Sequence, residues 1–126
     1  MTERTVLIVD DDSDIREIVQ FALEMQPGWK VVGEQAGENA VERAVAVRPD
    51  VILLDVNLEG MDGPATLGAL RADDRTAGIP VLFLTANNRP ADVDRLQALG
   101  AKGVLAKPFD PLALGSQVSR AMHWPE

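Results

Sequence analysis

At 126 residues the chain is the size of one domain and too short for a two-domain enzyme. Twelve Lys and Arg against 20 Asp and Glu leave a net charge of −8, which repels a nucleic-acid backbone and an anionic membrane surface alike. There is no cysteine, which excludes disulfides, thiolate metal sites and cysteine nucleophiles and fits a reducing compartment. The short apolar run near the N-terminus is no signal-peptide core or membrane span, so a soluble, cytoplasmic protein without membrane contact is expected.

In chain order, apolar runs at 5–9, 30–33, 51–54, 80–84 and 103–106 are too short for helices and predict five strands. The first, third and fourth lack alternation, the pattern of parallel strands covered on both faces. After the first strand, Ile15, Ile18, Val19, Ala22 and Leu23 recur at helical spacing, with Ser13 or Asp14 as the expected cap and Pro27-Gly28 as the stop. Shorter helices are predicted around Val41, Ala44 and Val45, around Leu67 and Leu70 behind Pro64, and around Val93, Leu96 and Leu99 with Gly100 as the stop. Leu114, Val118, Ala121 and Met122 mark the last helix. Alternating strands and helices with short links imply an open α/β parallel sheet.

Ligands of such sheets bind beyond the carboxyl ends of the strands. There the chain carries Asp10, Asp11 and Asp12 after the first run, Asp55, Val56 and Asn57 after the third, Thr85 after the fourth and Lys107 after the fifth. The second run leads into Gln35, Ala36 and Gly37 without charge, as suits an edge strand outside the site. Carboxylates about 5 Å apart repel by roughly 3 kcal/mol per pair at an effective dielectric near 20, so such a crevice calls for a cation. A hard ion that takes only one or two carboxylates and bridges to phosphoryl oxygen is Mg²⁺. Lys107 adds a point charge and Thr85 a hydroxyl donor, both suited to phosphoryl oxygens, and a carboxylate can accept a phosphoryl group. Asp55, alone after the central strand, is the best-placed acceptor. Asp12 and Asp14 read as a solvated helix entry, His123 as an exposed terminal residue, and Met61 and Met122 as packing.

In order and spacing, Val9-Asp10-Asp11, Leu54-Asp55-Val56-Asn57, Met61-Asp62-Gly63, Thr85-Ala86 and Lys107-Pro108-Phe109 resemble the receiver domain of two-component response regulators across nearly the whole chain. The resemblance implies a flavodoxin-like, doubly wound five-stranded parallel sheet in order 2-1-3-4-5 with five helices, one domain over 1–126 with its core at about 4–122. It implies that Asp55 accepts a phosphoryl group from a sensor histidine kinase or phosphotransfer protein. By position, Asp11 and Asp55 bind Mg²⁺ through side chains and Asn57 through its backbone carbonyl, with Asp10 assisting through water and Mn²⁺ able to substitute. Lys107 contacts the acyl phosphate, Thr85 reports phosphorylation by moving its loop, and Asn57 and Asn87 tune the loss of the phosphate.

Several residues depart from the family pattern. Val104 stands where Tyr or Phe is usual and has no ring to rotate inward with Thr85, so the loop at 86–89 and the fourth helix are expected to carry the change. The loop at 58–60 lacks the common Met-Pro pair, and Val56 replaces a tryptophan that some relatives carry, Trp29 and Trp124 lying elsewhere.

A haloacid-dehalogenase-like phosphatase would want an Asp where Asn57 stands, and room for a cap. A degenerate receiver acting as a constitutive binding module is opposed by the intact acids and mildly favoured by Val104, and a flavodoxin is opposed by the acidic crevice and by the absence of Tyr and scarcity of other aromatics. The expected activity is therefore a signalling switch that catalyses only its own phosphorylation and dephosphorylation. Output is expected through a downstream protein, or a second copy of the chain, on the surface of the fourth helix, fifth strand and fifth helix, where Arg89, Arg95, Lys102 and Val104 lie, and not through direct nucleic-acid contact. A start at Met1 and a complete last helix lead to the expectation of a whole gene product.

Overall fold

The computed structural model describes residues 3–87 and 89–125. The five apolar runs form strands β1 (Arg4–Val9), β2 (Trp29–Glu34), β3 (Val51–Asp55), β4 (Val81–Thr85) and β5 (Gly103–Ala106). All neighbours pair in parallel, in the order β2-β1-β3-β4-β5, as expected. Between them lie α1 (Ser13–Glu24), α2 (Ala40–Val47) behind a short 3-10 turn (Gly37–Asn39), α3 (Gly63–Ala72), α4 (Pro90–Ala98) and α5 (Pro111–Met122).

Successive strand residues point to opposite faces, so each central strand feeds two cores. Val6, Ile8, Leu53, Leu82 and Leu84 pack under Val19 and Leu23 of α1 and Leu114 and Val118 of α5. Leu7, Val9, Ile52, Leu54 and Phe83 pack under Ala40 and Ala44 of α2, Leu67 and Leu70 of α3, and Leu96 of α4. Every residue of β3 and β4 is buried, which explains their lack of alternation.

The boundaries differ from the sequence expectation where local hydrogen bonds decide them. Asp12, not Ser13 or Asp14, caps α1: its extended backbone lets its carboxylate accept the Asp14 N–H at 2.9 Å. The helix also ends ahead of Pro27, with Met25 as its cap. Ile18 is 39% exposed and Phe21 70%, because the buried face of α1 centres on Val19, Ala22 and Leu23. Leu99 falls beyond the end of α4 and is 48% exposed, leaving Leu96 as the buried anchor of that helix. Gly100 then turns the chain with φ of +106°.

At the amino-terminal edge of the sheet, the rings of Trp29 and Trp124 meet edge to face with centroids 5.5 Å apart, and the Arg4 guanidinium lies 4.2 Å from the centre of Trp124. His123 is exposed and its left-handed backbone ends α5, letting the Trp124 N–H reach the Ser119 carbonyl at 2.8 Å.

The entry of α3 is pressed against the end of β3. A Cβ on Gly63 would lie 2.5 Å from the Asp55 carbonyl oxygen and 2.7 Å from Val56 Cα, so only glycine fits. Gly63→Ala is expected to lower the unfolding free energy by about 1–3 kcal/mol. Urea denaturation checks this, and an unchanged midpoint would mean that α3 can shift away freely.

Candidate functional site

Strands β1, β3, β4 and β5 end at one edge, and each delivers one group there: Asp10, Asp55, Thr85 and Lys107. Register brings them side by side, since Val9 pairs with Leu54, Asp55 with Leu84 and Thr85 with Ala106. Carboxylate oxygens of Asp10, Asp11 and Asp55 all lie within 4.8 Å of one another, the first and last residues buried and Asp11 exposed. The Lys107 ammonium closes the group, 3.0 Å from Asp10 Oδ2 and 3.2 Å from Asp55 Oδ1. The Lys107 N–H continues the ladder onto the Thr85 carbonyl at 2.8 Å, and the Lys107–Pro108 peptide is cis.

Backbone donors hold the acids. The Asp12 N–H donates to Asp10 Oδ1 at 2.9 Å, the Asn57 N–H to Asp55 Oδ1 at 3.3 Å, and the Glu59 N–H to Asp11 Oδ2 at 3.1 Å. The Arg16 guanidinium donates to the Asp10 carbonyl at 2.6 Å. Burial, the largest influence on Asp10, lifts its carboxyl above the usual range, against the pull of the Asp12 N–H and Lys107. Burial alone would lower the Lys107 ammonium, but the hydrogen bond to Asp10 and the charges of Asp10 and Asp55 outweigh it and raise it.

Of the remaining predicted residues, Asn57 adjoins this cluster and Val104 stands apart from it. Thr85 is buried, and its hydroxyl is turned to its own loop: it accepts the Asn87 N–H at 3.0 Å and donates to the Asn87 carbonyl at 3.2 Å. Asn87 is exposed, and its side-chain oxygen accepts from the Arg89 backbone and side chain at 3.3 and 3.2 Å. Asn57 is exposed beside Asp55. Val104 is half-buried against the α2–α3–α4 side of the sheet. The loop expected to move, 86–89, includes Asn88, which lies outside the described residues.

Sequence reasoning missed Arg16 and Glu34. Glu34 ends β2 as a buried charge held by the Ala36 N–H (3.0 Å), Asn39 (3.2 Å) and Arg43 (3.2 Å), so the edge strand is not charge-free at its end. Burial would raise its carboxyl, but these donors together hold it below the usual range. Neither residue had a motif around it to mark it.

A concavity of about 400 Å³ lined by Ala44, Val45, Arg48, Pro49, Arg75 and Ile79 lies at the opposite edge of the sheet, away from the carboxylates. Chemistry marks the acidic crevice rather than volume. Three carboxylates against one ammonium leave surplus negative charge on hard oxygen donors, a set that fits Mg²⁺.

The strand order and this acidic crevice with its lysine are those of a flavodoxin-like signalling domain. The chain belongs to the response regulator receiver domains, whose sequence model matches residues 6–119. It is 44% identical over 110 residues to the nitrate/nitrite response regulator protein NarP of Escherichia coli, covering 86% of this chain and 50% of that protein. Over 122 residues it is 34% identical to the phosphate regulon transcriptional regulatory protein PhoB of Pseudomonas aeruginosa, covering 97% and 53%. The chain thus spans about half the length of the curated relatives it matches. Its fold superimposes on the chemotaxis response regulator CheY4 of Vibrio cholerae with a TM-score of 0.86 at 35% identity, over 95% of this chain and 99% of that one. Receiver domains are signalling domains of two-component systems, and phosphorylation is the switch general to the family. Among the described residues no helix is long and apolar enough to cross a membrane.

A carboxyl raised by burial favours the fold below the unfolded value of about 3.8 and loses that contribution as pH rises through the folded value. Asp10→Asn, neutral at every pH, is therefore expected to stabilise the metal-free protein at neutral pH, with the gain vanishing as pH falls below the unfolded value of about 3.8. Urea midpoints across that range in a chelator check the sign.

Proposed function

We propose that this chain is a phosphorylation-activated switch with Asp55 as the acceptor, supplied by a sensor histidine kinase or a phosphotransfer protein. The observation that carries the reading is the Lys107 ammonium held between Asp10 and Asp55 within a cluster of three carboxylates. On transfer, the P–N bond of a phosphohistidine breaks and a P–O bond forms to the Asp55 carboxylate. On loss, water attacks phosphorus, the Asp55 carboxylate leaves, and inorganic phosphate is released.

Asp11 and Asp55 would hold Mg²⁺ through their carboxylates and Asn57 through its backbone carbonyl, with Asp10 assisting through water, and Mn²⁺ could serve in its place. The ion, when bound, neutralises charge on the transferring phosphoryl oxygens. Lys107 contributes a preorganised positive charge, already oriented by Asp10, to the acyl phosphate oxygens. Thr85 exchanges its Asn87 partner for a phosphoryl oxygen, which draws the loop after β4 toward the crevice. Asn57 and Asn87 tune the phosphate lifetime.

Val104 has no ring to carry this motion, so it passes to the loop at 86–89 and to α4, held by the buried Leu96. The output surface is the face of α4, β5 and α5, where Arg89, Arg95 and Lys102 are exposed, and it contacts a downstream protein or a second copy of the chain. A net charge of −8 argues against direct nucleic-acid contact by this domain. Residues 4–122 form the switching unit, and its place of action is the cytoplasm.

Intact-protein mass spectrometry after incubation with acetyl phosphate or phosphoramidate and Mg²⁺ tests the reading. One added phosphoryl group is expected, absent from Asp55→Asn and from metal-free samples; no adduct, together with no amide shifts on adding beryllofluoride, would leave a constitutive binding module. Lys107→Ala is expected to slow the same reaction by about 10²-fold, the typical loss of one preorganised donor. A rate unchanged by that substitution would remove Lys107 from the transfer step.

A further inference from the structure

The loop between β3 and α3 is held by acidic side chains from two other segments. The Glu59 N–H donates to Asp11 Oδ2 at 3.1 Å, and the Met61 N–H donates to Glu38 Oε1 at 2.8 Å. Glu38 sits on the 3-10 turn ahead of α2, and that turn is seated tightly on the loop. A Cβ on Gly37 would overlap the Thr66 hydroxyl and lie 2.7 Å from the Met61 carbonyl oxygen. Gly60 takes φ of +74°, and a Cβ there would be 3.2 Å from Glu38 Oε1, so the carboxylate lies directly over the loop backbone.

Resting on the reading of the crevice as a cation site, we propose that Glu38 is a positioning residue for it. Glu38 fixes the loop at Met61. The loop, two residues earlier, presents the Glu59 N–H that orients the Asp11 carboxylate. Asp11 is exposed and would otherwise lose rotamer freedom on binding a cation; with one oxygen held by Glu59, the other is presented in advance. A proline at 59 has no N–H and could not do this. Immobilising one side chain beforehand is worth about a 2- to 10-fold gain in affinity.

The test is a Mg²⁺ titration of the full chain, followed by amide NMR shifts around residues 10–12 and 55–59. Urea denaturation alongside establishes that each variant is folded. Glu38→Ala is expected to weaken Mg²⁺ binding about 2- to 10-fold. Glu38→Gln loses the charge but keeps an acceptor for the Met61 N–H, and is expected to restore most of the affinity. Glu59→Pro, which removes the donor and leaves Glu38 in place, is expected to match Glu38→Ala. Unchanged affinity in Glu38→Ala overturns the proposal, because a merely structural residue would move only the urea midpoint. Equal weakening in Glu38→Gln overturns it in favour of a long-range charge effect. Absence of Mg²⁺ binding by the unsubstituted chain, or binding indifferent to Asp11→Asn, would instead overturn the cation reading on which it rests.

Discussion

The ammonium of Lys107 is the interaction on which the crevice depends. Asp10 and Asp55 are buried at the ends of adjacent strands, and two such carboxylates about 5 Å apart repel by roughly 3 kcal/mol at an effective dielectric near 20. Lys107, 97 residues beyond Asp10, reaches back across β4 to touch both. A buried ion pair is weak as a source of stability, since apolar side chains of similar volume often serve as well. Keeping charges here makes physical sense where charge itself is the function, and the surplus negative charge left after Lys107 is what a cation answers.

The strand order gives that interaction its geometry. With β1, β3, β4 and β5 side by side, the residues just past each strand become neighbours although they come from widely separated stretches of the chain. The unbroken apolar runs of β1, β3 and β4 allow this, because helices on both faces leave the sheet ends as the one place for polar groups. The 3-10 turn and α2 follow the edge strand β2, and Glu38 on that turn meets the loop after β3.

The strands and the cluster were legible because their signals are strong and local. A fully buried parallel strand reads as a continuous apolar run, and each residue of the cluster follows one directly. The misplaced details depend on rotation and hydrogen bonding that periodicity does not encode. Ile18 fits the helical spacing as well as Val19 does, and only the direction in which α1 faces the sheet separates them. Asp12 caps α1 where Ser13 or Asp14 was expected, because the chain stays extended through Asp12. Glu34, Arg16 and Glu38 act through backbone groups or through partners that no spacing rule connects. Val104 differs again: its identity was plain, but only the fold placed it among the apolar side chains under α4, apart from the charged cluster.

The tryptophan pair at the far edge of the sheet has a spectroscopic consequence. Both tryptophans of the chain sit there, packed against each other and under Arg4, while the carboxylates lie at the other end of the strands. Their emission is therefore expected to follow the packing of Trp124 against Trp29 of β2 and Arg4 of β1. Tryptophan emission is thus expected to respond to loosening of Trp124 and little to events confined to the acidic crevice at the other end of the strands.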